Sequence, residues 1–186
     1  SVKSFNEPVI NDSSSLILKK FEKFPEIIAA YIYGSILSAE FSEKSDIDIL
    51  FIVADLIDSR AFFKKIKKIR SSMKEYRTDI NIVFIREFRR RWHIYRPPTY
   101  FYWITKRGRL LWGKDLLNDV KSSDITAESI YKRAVDLAQS CRSVYLNNKD
   151  GTFWEPKYRR WIRTLVTEVD YLENGLVNLN FNDSIL

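Results

Sequence analysis

The sequence has one cysteine, one histidine, five glycines and five prolines, and no apolar run near the roughly 20 residues needed to span a bilayer. Cys141 alone excludes an intramolecular disulfide and a cysteine-based zinc site, which suits a reducing cytoplasm. His93, beside Trp92, has no second histidine or a cysteine pair to share zinc with, so packing is the expected role for it. Ser1-Val2-Lys3 does not open an apolar signal segment, and no membrane association is expected. Sparse glycine and proline, with no repeats or biased tracts, exclude solenoid and low-complexity architectures.

What is present is a large apolar and aromatic content, 45% and 15%, enough to fill a real core and exclude wholesale disorder. Lys and Arg number 31 against 24 Asp and Glu, a formal excess of +7 that attracts anions. Residues 1–12 are polar and read as a loose leader, and Asn11-Asp12-Ser13 as a helix start. Ile27 to Tyr33 is an apolar run of strand length stopped by Gly34; Asp46 to Val53 and Thr78 to Ile85 are further strands. Phe62, Ile66, Ile69 and Met73 mark one face of a helix between them. Arg86 to Ile94 and Thr99 to Lys106 are expected helices on either side of Pro97-Pro98, and Arg109 to Trp112 a last strand. Beyond Asp115 the pattern is helical, with one stripe through Ile130, Ala134, Leu137 and Ala138 and a second through Trp161, Leu165, Val169 and Leu172.

Asp46 and Asp48 fall on one face of a strand, because side chains alternate with period two. Adjacent carboxylates are costly unless a cation neutralises them, and hard oxygen donors suit Mg²⁺ or Mn²⁺. Asp79 opens the next strand with Asn81 on its face; if the two strands are neighbours, Asp79 reaches the same ions. Gly34-Ser35 lies where a buried strand ends, where a glycine lets backbone approach a phosphate and the serine hydroxyl can hold its oxygens.

At these residues the chain resembles the DNA polymerase β superfamily of nucleotidyltransferases, especially its small stand-alone members. Their signature is Gly-Ser, about ten residues, then Asp-x-Asp on a strand, with a third acid on a neighbouring strand; here ten residues separate Ser35 from Asp46, and Ser45-Asp46-Ile47-Asp48-Ile49 matches. The resemblance implies an α/β (α+β) fold, with a small mixed β-sheet core flanked by helices over residues 13–118 and an α-helical part over 119–186. It implies that Asp46, Asp48 and Asp79 are catalytic and bind two metal ions, and that Gly34, Ser35 and Ser45 hold nucleotide phosphate. It further implies transfer of an NMP from an NTP, ATP first, to an acceptor hydroxyl. Residues Thr105 to Gly113 look like the close of that catalytic core. One departure is Ser38-Ala39, where many members carry an Arg-Gly or similar pair.

Asp-Ile-Asp alone is a common strand-edge pattern; the spaced Gly-Ser and the later acid raise it above coincidence. Arg86, Arg89, Arg90, Arg91, Lys106, Arg107 and Arg109 form a basic stretch, singly solvated side chains but together a path for a polyanion. Tyr95, Tyr100, Phe101, Tyr102 and Trp103 could stack a base, though such clusters are more often core. Among tail acids, Asp136, Glu168 or Asp170 could serve as a general base, and a surface acid is the default for each. The basic balance leans the acceptor toward RNA or a protein, since polycationic aminoglycosides need acidic pockets. An antitoxin-type enzyme acting on a helical toxin partner, an aminoglycoside-type enzyme, a homodimer and a non-catalytic nucleotide-binding module are the alternatives.

Overall fold

The computed structural model describes residues 7–37, 46–55, 58–73, 77–91 and 99–147, with 163, 164, 166, 168–170, 173 and 174 beyond them. Its elements are α1 (Glu7–Phe21), β1 (Ile27–Tyr33), β2 (Ile47–Val53), α2 (Ser59–Ser72), β3 (Thr78–Phe84), α3 (Ile85–Arg89), α4 (Tyr100–Arg107), β4 (Arg109–Gly113) and α5 (Ala127–Asn147). Four strands form one mixed sheet in the order β3-β2-β1-β4, as the expected α/β fold requires. β1 pairs antiparallel with both β2 and β4, whereas β2 and β3 run parallel and are joined through α2.

Residue alternation divides the sheet into two faces. Ala30 and Ile32 of β1 and Ile47, Ile49, Phe51 and Val53 of β2 pack with Ile17 and Phe21 of α1 and Phe62 and Ile66 of α2. Each such aliphatic side chain, fully buried, contributes about 1.5–3 kcal/mol. Phe51 meets Phe21 and Trp112 with ring centroids 5.1 and 5.8 Å apart, which joins α1 and β4 to the sheet centre. Along the opposite face Leu50 and Ile52 are also fully buried. Polar residues on that face are thereby confined to one end of β2 and β3.

α1 begins at Glu7, a turn before the start expected at Asn11. The added turn carries Ile10 into the core, and the Ser13 hydroxyl donates to the Ile10 carbonyl inside the helix instead of capping it. α2 has the conventional start, with the Asp58 side chain accepting from the Ala61 amide. α3 is shorter than the expected 86–94, since Arg91 takes a left-handed φ of 56°; residues 92–98 lie outside the described ones.

Two compact units divide the chain. The first holds residues 1–92 and 104–120, including the whole sheet. Here Tyr31 is pinned at its hydroxyl, which accepts from the Leu116 and Leu117 amides at 2.7 and 3.2 Å and donates to Asp115 at 3.1 Å. Burial pushes the Tyr31 phenol up to about 12. The second unit holds residues 93–103 and 121–186. In it Ile130 and Leu137 of α5 are buried as the stripe requires, Ala138 is exposed, and the described residues from 163 to 174 are helical. No helix among the described residues is long and apolar enough to cross a membrane.

Candidate active site

Parallel pairing of β2 with β3 sets Asp48 directly beside Asp79, and antiparallel pairing of β1 with β2 sets Tyr33 on the other side of Asp48. All three therefore share the face opposite the α1–α2 core, at the end where β1 finishes and β2 and β3 begin. One pleat further on, Asn81 donates its side-chain amide to the Tyr33 hydroxyl at 2.9 Å. Asp48 is half-buried and Asp79 exposed, so the pair opens to solvent while Leu50 behind it is sealed.

Gly34 follows β1 directly and has φ of +86°. A Cβ built there would overlap the Asp48 carboxylate oxygen. Both its backbone and the space beside it thus require glycine. A short 3₁₀ turn over Ser35–Leu37 comes next, closed by the Leu37 amide donating to the Gly34 carbonyl at 3.1 Å. Gly34, at the start of this turn, is in this way held against the Asp48 carboxylate. Ser45 and the Ser38-Ala39 departure lie outside the described residues.

Asp46 stands one residue ahead of β2 and is placed differently from Asp48. The Arg77 guanidinium lies 2.9 Å from its carboxylate, and the Ile47 amide donates to the Arg77 carbonyl at 2.7 Å. No basic residue lies between Asp46 and Asp48 in the sequence, and the partner of Asp46, Arg77, is delivered from just before β3 by parallel pairing. Both partners are substantially solvent-exposed, so the pair is worth no more than about 1 kcal/mol. Asp46, Arg77, Thr78 and Asp79, with Arg70 and Ser71 from the end of α2, line a cavity of about 390 Å³. Arg70 also donates to the Thr78 carbonyl at 2.9 Å, which ties the end of α2 to β3.

No group of three histidine, cysteine, aspartate or glutamate side chains is clustered closely enough to hold a metal ion among the described residues. The donor chemistry nevertheless fits a hard divalent cation: Asp48 and Asp79 are in register, the absence of a Cβ at Gly34 admits the Asp48 carboxylate, and Asp46 is held by an ion pair weak enough to exchange.

The remaining sequence candidates separate clearly. Arg91 donates to the Phe88 and Asp119 carbonyls at 2.9 and 3.0 Å and stacks over the Phe88 ring, so it braces the fold. Arg86 pairs with Asp55 at 3.5 Å. Tyr100 and Phe101 are buried, in keeping with a core role, whereas His93 and Tyr95 lie outside the described residues. Asp136 is exposed.

Glu168 is the tail acid with an unusual setting. Only 1% exposed, it accepts at one carboxylate oxygen from the Thr99 hydroxyl, while its other oxygen is buried with no hydrogen-bond partner. Burial raises its carboxyl to about 7, against the opposing pull of Thr99 and of the Arg133 charge. Periodicity could not reveal this, because an acid on an apolar stripe looks the same as one at the stripe's edge.

A mixed sheet of this order, with two helices on one face and paired acids at one end of the other, is the core of a nucleotidyltransferase. The family model described as "Polymerase beta, Nucleotidyltransferase" matches residues 16–116, more than half of the chain, and the chain belongs to that family. The fold is similar to that of spectinomycin adenyltransferase AAD(9) from Enterococcus faecialis, solved with ATP and spectinomycin; identity is 15%, the TM-score 0.56, and the match covers 96% of this chain and 80% of the other. Looser likenesses join it to a toxin–antitoxin structure with AMP-PNP, at 20% identity, TM-score 0.39 and coverage of 73% and 96%. Another is a tri-AMPylated Shewanella oneidensis HEPN toxin in complex with MNT antitoxin, at 19% identity, TM-score 0.34 and coverage of 77% and 98%. The fold assignment rests on the first of these and on the family match. No curated protein matches the sequence.

Proposed function

We propose that this nucleotidyltransferase moves a nucleoside monophosphate from an NTP to an acceptor hydroxyl, with RNA or a protein as the acceptor and ATP as the donor to test first. Asp46, Asp48 and Asp79 are assigned to two Mg²⁺ or Mn²⁺ ions, and Gly34, Ser35 and Ser45 to the triphosphate. Residues 13–118 carry this donor side, and the tail from 119 to 186 is assigned to the acceptor side. The single observation that supports the reading most is the register of Tyr33, Asp48 and Asp79 with Gly34 fitted against the Asp48 carboxylate.

The ions, when bound, supply the positive charge that offsets the triphosphate and activates the acceptor hydroxyl. The chain's own residues set the geometry. Asp48 and Asp79 are carried on rigid paired strands, which fixes their separation better than loop residues would. The turn at Gly34 brings backbone close to the same carboxylate, so donor phosphate and ligands are held in one frame. In the reaction the acceptor oxygen bonds to the α-phosphorus while the bond to the bridging β-phosphate oxygen breaks. Diphosphate leaves and the hydroxyl proton passes to solvent or a base.

One observation favours a small-molecule acceptor instead: the likeness to AAD(9) extends over 96% of the chain, tail included. The +7 balance speaks against a polycationic one. Calorimetry with Mg²⁺ and each of the four NTPs tests the donor assignment. Saturable binding by the wild type that is weakened at least tenfold in Asp48→Asn is expected; an absence of metal–NTP binding in the wild type would falsify the assignment.

A further inference from the structure

α2 carries a dense run of cations, most of which the donor site does not use. Arg60, Lys64, Lys65, Lys67, Lys68 and Arg70 lie within its 14 residues, and the helix has no acid. Those six cations nearly equal the formal excess of +7 for the whole chain. All six are solvent-exposed, and none is ion-paired with an acid among the described residues.

Their placement follows from the helical period. With Phe62 and Ile66 buried on the core side, Arg60, Lys64, Lys67 and Lys68 project from the opposite side. They form a ridge that continues to Ser71, about 16 Å of helix at 1.5 Å per residue. Ser71 and Arg70 then line the cavity that holds Asp46 and Asp79. The ridge therefore ends at the rim of the cavity that Asp46 and Asp79 line. Arg60 and Lys64, and Lys64 and Lys68, are like charges four residues apart, an arrangement that destabilises a helix unless an anion neutralises it.

We infer that the solvent face of α2 binds the phosphate backbone of an RNA acceptor and delivers its hydroxyl to the cavity. Protein interfaces deplete lysine at their centre and need an apolar core. The α2 face offers only Phe63, 40% exposed and set against Phe84 beside the ridge, where a base could stack. A row of lysines without apolar anchors suits regularly spaced phosphates better than an acidic protein. This rests on the nucleotidyltransferase reading only in calling the RNA an acceptor; the binding surface stands on its own observations.

The test compares the full chain with a Lys64→Gln, Lys67→Gln, Lys68→Gln variant, using fluorescence anisotropy on a labelled single-stranded RNA across a salt series. The variant is expected to lose affinity and to reduce the slope of log K against log salt by about 2, because each single-strand phosphate that a lysine neutralises adds about 0.7 to that slope. The corresponding Lys→Arg triple should keep the wild-type slope, and Mg²⁺–NTP binding should be unchanged in both. Equal RNA affinity and slope in the Gln variant overturns the proposal. Tighter binding of polyglutamate or of duplex DNA than of RNA overturns it as well, the first result pointing to an acidic protein partner. RNA binding through α2 with no transfer of label from any NTP would leave this surface intact and remove the transfer reading. Label passed to a protein or small molecule equally by wild type and variant would do the reverse.

Discussion

Gly34 and Asp48, the two halves of one spaced signature in the sequence, occupy a single space in the fold. Gly34→Ala adds a methyl where the Asp48 carboxylate lies, and it forces a non-glycine residue to φ of +86°. The left-handed backbone costs about 1–3 kcal/mol, and displacing a positioned carboxylate by about 1 Å can cost on the order of 10²-fold in rate. Gly34→Ala is therefore expected to cut NTP-dependent transfer about 10²-fold while only modestly lowering the melting temperature. A variant that retains wild-type transfer would show that the close approach is incidental. At this scale the sequence was legible in part. Spacing and alternation indicated Gly34, Asp48 and Asp79, because a strand dictates which side chains share a face. The partner of Asp46, Arg77, stands 31 positions later in the chain, and only strand pairing brings such residues together.

Among the elements, β1 depends on a contact that has no signature in the sequence. The Tyr31 hydroxyl satisfies two backbone amides after β4, a tie that joins chain segments more than 80 residues apart. Tyr31→Phe leaves those buried amides without their acceptor, at a cost of about 1–3 kcal/mol, measurable as a lower denaturant midpoint with an unchanged slope. A midpoint equal to wild type would mean that water replaces the phenol freely. The tail offers a pH-dependent counterpart. Glu168 titrates near 7 when folded and at the ordinary glutamate value of 4.5 when unfolded. The folded state thus binds the extra proton, so this contribution to stability is full below pH 4.5 and lost as pH rises through 7. The loss is up to roughly 3 kcal/mol. Melting wild type and Glu168→Gln side by side should show their difference shifting in favour of the glutamine variant across pH 4.5–7. A difference that stays constant would place the Glu168 carboxyl at its ordinary value.

Element types proved more legible than their roles. Ile27 to Tyr33 is a strand as its apolar run requires, and the next begins at Ile47, one residue after the expected Asp46, but the start of α1 lies a turn earlier than its polar residues suggest, since burial of Ile10 outweighs them. In α2 the core stripe is legible from period alone, whereas the placement of its cations relative to the cavity depends on tertiary packing. In the basic stretch after β3, Arg86 and Arg91 are used for contacts within the fold.

For the molecule as a whole, the family membership and the mixed sheet define a nucleotidyltransferase. The likeness to an adenyltransferase, at 15% identity, is one of fold and does not by itself fix the acceptor. What distinguishes this chain is how its charge is distributed, with paired acids at one end of the sheet and a basic helix leading to them. The most direct measurement of the central claim is incubation of the full chain with α-labelled ATP, Mg²⁺ or Mn²⁺ and a cell lysate, followed by separation of RNA, protein and small molecules. Wild type is expected to pass label to a macromolecule, RNA foremost, and Asp48→Asn to pass none. Label transfer that survives Asp48→Asn, or wild type that transfers none from any NTP, would contradict that claim.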